Sequence, residues 1–149
     1  MTFRSHMPQA LLQAREAALR GEVPVGAVLC DPSGRVVAAA GNRTRELSDP
    51  TAHAEILAIR EACARAGSER LPGHTLWVTL EPCPMCAAAI SAARISTLYY
   101  GASDPRMGGV AHGARVFDHP QCHHRPQVYD GIASAESQAL LRGFFGARR

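Results

Sequence analysis

Apolar residues first recur at helical spacing from Met7 to Arg20, where Met7, Ala10, Leu11, Ala14 and Ala18 share one face and Gly21 supplies a stop. Two short apolar runs follow, Val25 to Cys30 and Val36 to Ala40, joined by Asp31-Pro32-Ser33-Gly34. Each residue of that connection suits its place in a type I turn, so the pair is predicted to be a β-hairpin. The helical period returns over Ala52 to Ala66, with Ile56, Ile59, Cys63 and Ala66 predicted to face the core and Gly67 to end the helix. Thr75 to Leu80 is rich in strand formers; Glu81-Pro82 ends it, and Pro84 suits the first turn of a helix running to Ala93. Ile95 to Tyr100 and Val128 to Asp130 read as further strands. Ser134 opens a last helix with Leu140, Leu141, Phe144 and Phe145 on its apolar side. Gly101 to Pro126, rich in Gly, His and Pro, shows no period that selects helix or strand.

Helices inserted between strands predict an α/β fold, a three-layer α/β/α sandwich around a mixed sheet of roughly five strands. At 149 residues without an internal linker, the chain is expected to be a single domain, 1–149, large enough to bury its own core. Hydrophobic residues at 46% and charged residues at 19% exclude a disordered segment. The longest apolar runs, such as Met85 to Ile90, are too short to span a bilayer, and Arg15 and Glu16 interrupt the only early stretch that resembles a secretory leader. The net charge of +3 is too mild to announce a nucleic-acid binder by itself, although every basic side chain is Arg. Arg favours forked contacts to phosphate and carboxylate, and an Arg-rich base composition would give the same bias.

Chemistry concentrates in Thr51-Ala52-His53-Ala54-Glu55 and Glu81-Pro82-Cys83-Pro84-Met85-Cys86, each at a predicted helix start. Cys83 and Cys86 have the spacing that lets two thiolates share one zinc ion, and helix N-termini favour thiolates over thiols. His53 would be the third ligand, leaving a fourth tetrahedral position for water, as in a catalytic site. Zn²⁺ with two thiolates and a neutral imidazole is formally neutral and acidifies water less than an all-histidine site does. A carboxylate base beside the open position compensates, and Glu55 is placed to be it. Taken singly, C-x-x-C also fits a redox pair or half of a structural zinc site, and a single His fits the core or the surface. The two motifs together point to hydrolytic zinc chemistry.

His-x-Glu with Pro-Cys-x-x-Cys resembles the zinc-dependent cytidine/deoxycytidylate deaminase superfamily, and most of all the bacterial tRNA adenosine deaminases; that motif is a known signature of zinc nucleobase deaminases. The likeness runs through Glu22 to Val28, Gly41-Asn42-Arg43, Asp49 to Glu55, Thr79 to Cys86, Tyr100-Gly101-Ala102, His123-His124-Arg125, Gly131-Ile132 and the terminal Phe144-Phe145 and Arg148-Arg149. It implies a cytidine deaminase-like fold, one Zn²⁺ per chain on His53, Cys83 and Cys86, and Glu55 as proton shuttle. It further implies substrate contacts from Asn42, Ala54, Val28 and Pro82, an Asp104 contact near the target ribose, and a C-terminal helix meeting the anticodon stem-loop through Phe144, Phe145 and Arg148. The implied reaction is hydrolytic deamination of adenosine to inosine in tRNA, at the wobble position, by a zinc-bound water, in a cytoplasmic homodimer.

The resemblance is weakest over Met107 to Ala114, where Met-Gly-Gly-Val-Ala-His-Gly-Ala replaces a small-polar loop. His112, His119, Cys122, His123 and His124 cluster in sequence, but the family loop already accounts for His119 and His124, so a second metal is not expected. Cys30 and Cys63 lie in apolar periodic runs and are expected in the core. The absence of a paired cysteine framework suits a reducing compartment. Other readings of the same residues are a zinc deaminase of a free base or nucleoside (guanine, cytosine or cytidine) and a zinc-stabilised RNA-binding subunit without turnover. For Phe144 and Phe145 the plain alternative is packing of the last helix.

Overall fold

The elements run α1 (Met7–Leu19), β1 (Gly26–Cys30), β2 (Val36–Gly41), α2 (Ala54–Ala66), β3 (Thr75–Leu80), α3 (Pro84–Ala92), β4 (Thr97–Ala102), a 3-10 turn at Val116–Asp118, β5 (Gln127–Tyr129) and α4 (Ser134–Gly146). This is the computed structural model of the chain, and it describes residues 4–146. Arg148, expected to contact RNA, lies outside the described residues. The strands form one sheet in the order β2-β1-β3-β4-β5. The hairpin β1–β2 and the β1–β3 pair are antiparallel, whereas β3–β4 and β4–β5 are parallel. The fold is therefore the three-layer α/β sandwich on a mixed five-stranded sheet that the sequence predicts.

Alternation along the strands divides the core in two. Ala27, Leu29, Leu76, Val78, Leu98 and Tyr100 point toward α2 and α3, while Val28, Cys30 and Trp77 point toward α1. Burial on both faces explains why every residue of β1 is buried. Gly26 permits the close seat of α1 on the sheet: a β-carbon there would collide with the Ala10 carbonyl and lie 2.6 Å from the Ala14 nitrogen. The hairpin turn closes as predicted, with Gly34 N–H donating to the Asp31 carbonyl and the Asp31 carboxylate accepting from the Ser33 and Arg35 amides.

Four elements differ from the sequence expectation: α1 buries Ala17 in place of Ala18, β5 spans Gln127–Tyr129 in place of Val128 to Asp130, and α2 and β4 depart further. Helix α2 buries Ala54, Glu55, Ala58 and Ala62 instead of the Ile56, Ile59, Cys63 and Ala66 face; Ile59 and Cys63 sit at the margin and Ala66 is exposed. An alanine face lets the helix backbone approach the sheet closely, and the bulkier side chains wrap its flank. Strand β4 starts at Thr97, two residues later than Ile95, because the Ile95 side chain is buried in the turn that leads from α3 back to the sheet.

Candidate active site

The two motifs meet where α2 and α3 begin. His53 is the N-cap of α2 and Cys83 the N-cap of α3, both in extended conformation. Their carbonyls accept the first helical bonds, from the Leu57 and Ala87 amides at 3.0 and 2.8 Å. Pro84, in the first turn of α3, presets the helical φ and gives up an amide that needs no partner there. One helical turn places Cys86 beside Cys83. His53 Nδ1 is 3.6 Å from Cys83 Sγ and 3.4 Å from Cys86 Sγ.

A tetrahedral zinc with Zn–N near 2.0–2.1 Å and Zn–S near 2.3 Å separates its N and S ligands by about 3.5 Å. The three donor atoms lie within 4.8 Å of one another, so the donor set and its spacing both fit one zinc ion. As a dithiol, the cysteine pair shares a proton. The bond from Cys86 lowers Cys83 to about 4, and the same bond, together with burial, holds Cys86 well up. The contact with Cys83 raises His53 above its ordinary value against the opposing effect of burial.

Glu55 lies in the first turn of α2 and is only 4% exposed. Burial pushes its carboxyl up to about 6, and its own amide and the charge on His53 oppose that rise. A carboxyl poised near neutrality can both take up and release a proton. His53, Cys83 and Glu55 border a cavity of about 250 Å³, with Val23 and Val25 as apolar wall and Asn42 and Asp104 as polar rim.

Asn42 follows β2, is 7% exposed, and is held by its amide bond to the Val25 carbonyl at 3.1 Å. Ala54 is fully buried in the first turn of α2. Val28, expected at the substrate, is not there: it points through the opposite face of the sheet into the core beneath α1 and is 0% exposed. Val23 and Val25 supply the apolar wall in its stead. Pro82 is buried and outside that wall; its carbonyl accepts the Gly109 amide at 2.8 Å. Phe145 is 51% exposed and stands edge-on to Phe144, 5.3 Å between ring centroids. A second cavity, about 460 Å³, shares Val23, Leu80, Asp104 and Met107 with the first and extends to Leu141 and Phe145. His112, His119 and His124 each bond within the fold, to Glu81, to the Ala114 carbonyl and to the Ile95 carbonyl.

Two buried carboxylates escaped the sequence reading. Glu22 accepts the Arg45 and Glu46 amides at 3.1 and 2.8 Å, tying down the loop after Asn42. Glu81 accepts from the Asp104, Val110, Ala111 and His112 amides and from the His112 ring. Burial disfavours its charge, but these bonds outweigh that effect and hold the carboxyl below its ordinary range.

The fold and the His-Cys-Cys centre define a zinc deaminase domain, and the chain belongs to that family: residues 2–102 match the model of the cytidine and deoxycytidylate deaminase zinc-binding region. Over 150 aligned residues, all of this chain and 98% of its relative, it is 60% identical to the tRNA-specific adenosine deaminase of Agrobacterium fabrum. It superimposes with a TM-score of 0.90 and 61% identity on a solved structure from studies of A-to-I editing by tRNA deaminases at the wobble position of transfer RNA, covering 93% of this chain and all of that one. A guanine deaminase from Bacillus subtilis is more distant, at TM-score 0.67 and 29% identity, with coverage of 99% and 94%.

Proposed function

We propose that the chain is a single-domain, cytoplasmic, homodimeric enzyme that hydrolyses adenosine to inosine in tRNA, at the wobble position of the anticodon. The observation that carries this reading is the buried Glu55 beside the His53-Cys83-Cys86 centre, in a cavity that continues toward an exposed aromatic on α4. A structural zinc site has no use for a carboxylate there. Zinc held by His53, Cys83 and Cys86 would supply the polarisation that makes water nucleophilic near neutral pH.

Glu55 takes a proton from the attacking water and passes it to the purine ring nitrogen, then takes the second proton from the new C6 hydroxyl and delivers it to the departing amine as the C6–N bond breaks, so adenosine and water become inosine and ammonia. Asn42 hydrogen-bonds the extruded nucleoside, the Ala54 amide faces the base, and Asp104 meets the ribose. Phe145, with Phe144 behind it, stacks on a base next to the target, and Arg148 adds phosphate attraction. No helix among the described residues is long and apolar enough to cross a membrane.

The alanine-rich α3, with Ala88 exposed, offers a face on which a second chain can approach closely. Light scattering at micromolar concentration should give twice the chain mass; a monomer would contradict the dimer. The reaction is tested by incubating zinc-loaded protein with an anticodon stem-loop carrying a wobble adenosine. Inosine at that position with one ammonia per turnover supports the reading. Deamination of free guanine or cytidine without action on the RNA would replace it with the nucleobase reading.

A further inference from the structure

Beside the chemical centre, the Glu81 carboxylate gathers an unusual number of hydrogen bonds among the described residues. Its carboxyl-bearing side chain is fully buried and receives five donors, all from one loop. Oε1 accepts from the Asp104 amide at 3.0 Å and the His112 ring Nδ1 at 2.8 Å. Oε2 accepts from the Val110, Ala111 and His112 amides at 3.2, 2.9 and 3.1 Å. The loop is pressed onto the ligand segment too: a β-carbon on Gly109 would lie 2.5 Å from the Pro84 nitrogen, and one on Gly108 2.5 Å from both the Asp104 carbonyl and Glu81 Oε2. This same loop brings Asp104 and Met107 to the mouth of the cavity.

Glu81 borders the cavity, but both of its carboxylate oxygens are taken up by donors from the loop, which leaves it no part in moving the proton. We infer that Glu81 is a positioning residue for nucleotide binding: it gathers the 104–112 loop by its amides and sets Asp104 and Met107 at the cavity mouth. The inference rests on the proposed action on RNA. The geometry has a chemical logic. An ionised carboxylate only accepts hydrogen bonds, and every partner around Glu81 donates, so no neutral side chain of similar size satisfies the loop. His112 completes the set with both its amide and its ring.

The test compares wild type, Glu81→Gln and Gly108→Ala as zinc-loaded, full-length proteins acting on a wobble-adenosine stem-loop. Glu81→Gln turns two donors toward donors; Gly108→Ala pushes the same loop while keeping the carboxylate, and serves if the first variant does not fold. Both should raise KM about tenfold or more with kcat little changed and one zinc per chain. His112→Ala, which removes one donor of the five, should give a smaller rise. Amide hydrogen exchange at Val110, Ala111 and His112 should accelerate in Glu81→Gln while α3 is unaffected. A merely structural role would lower apparent kcat with the folded fraction and leave KM unmoved, and that result, or unchanged exchange, overturns the proposal. A wild type inactive on the RNA would instead overturn the functional reading, and the exchange measurement would still decide whether Glu81 clamps the loop.

Discussion

His53 and Glu55 lie two residues apart across the first turn of α2 and border the same cavity, His53 from the extended N-cap and Glu55 from within the helix. The change of backbone conformation between them lets one side chain join the cysteines while the other stays outside that group, its carboxyl bonded to its own amide and to Cys86. Glu55→Gln keeps the size and loses the base. It should retain one zinc per chain and lose at least 10²–10⁴-fold in kcat, the usual range for removing a general acid–base. Full zinc with near-normal turnover would show that Glu55 is not the shuttle.

Cys83→Ser and Cys86→Ser should each lose the metal, because two donors no longer make a closed side to the site. The thermal transition should fall as well, since the ion joins the starts of α2 and α3. Elemental analysis with calorimetry checks both; a variant that keeps stoichiometric zinc contradicts the ligand set.

The pH dependence follows from burial of Glu55, which raises its carboxyl to about 6. The reaction needs the ionised form to accept a proton. Above about pH 6 the base is available; below it, kcat/KM should fall tenfold per pH unit. A profile flat down to pH 5 would exclude Glu55 as the titrating base.

Phe145 is 51% exposed at the far end of the second cavity, a position that core packing does not explain. Phe145→Ala should weaken action on the stem-loop by about tenfold or more, since base–aromatic stacking is worth about 1–3 kcal/mol. Zinc content and melting temperature should change little. A loss of stability without an effect on RNA kinetics would return Phe145 to the fold.

Gly26→Val tests the scaffold. Its β-carbon would meet the Ala10 carbonyl, so α1 must shift, at a cost of about 1–3 kcal/mol or more. Chemical denaturation should show the loss, while zinc binding at the other face of the sheet persists.

The His53-Cys83-Cys86 group was legible because short local spacings, His-x-Glu and Cys-x-x-Cys, sit at helix starts that Pro84 and the helical period announce. The mixed five-stranded sheet followed from the alternation of elements, whereas the strand order β2-β1-β3-β4-β5 came only from the structure. The Val28 contact was implied by the resemblance alone, and the strand could not correct it: both faces of β1 are covered by helices, so its apolar pattern does not say which side faces the site. The buried face of α2 was misread because alanines, not isoleucines, allow the closest approach. Glu22 and Glu81 escaped because their partners are backbone amides from distant loops, up to 31 residues away for Glu81, and amides leave no trace in side-chain patterns.

The central claim is that the site is built for a nucleoside presented by RNA. Its most direct measurement is kcat/KM for inosine formation by one zinc-loaded preparation on the anticodon stem-loop and on free adenosine. Binding energy from the neighbouring nucleotides should favour the stem-loop by about a hundredfold or more. Equal values, or turnover of free nucleoside alone, would contradict the account.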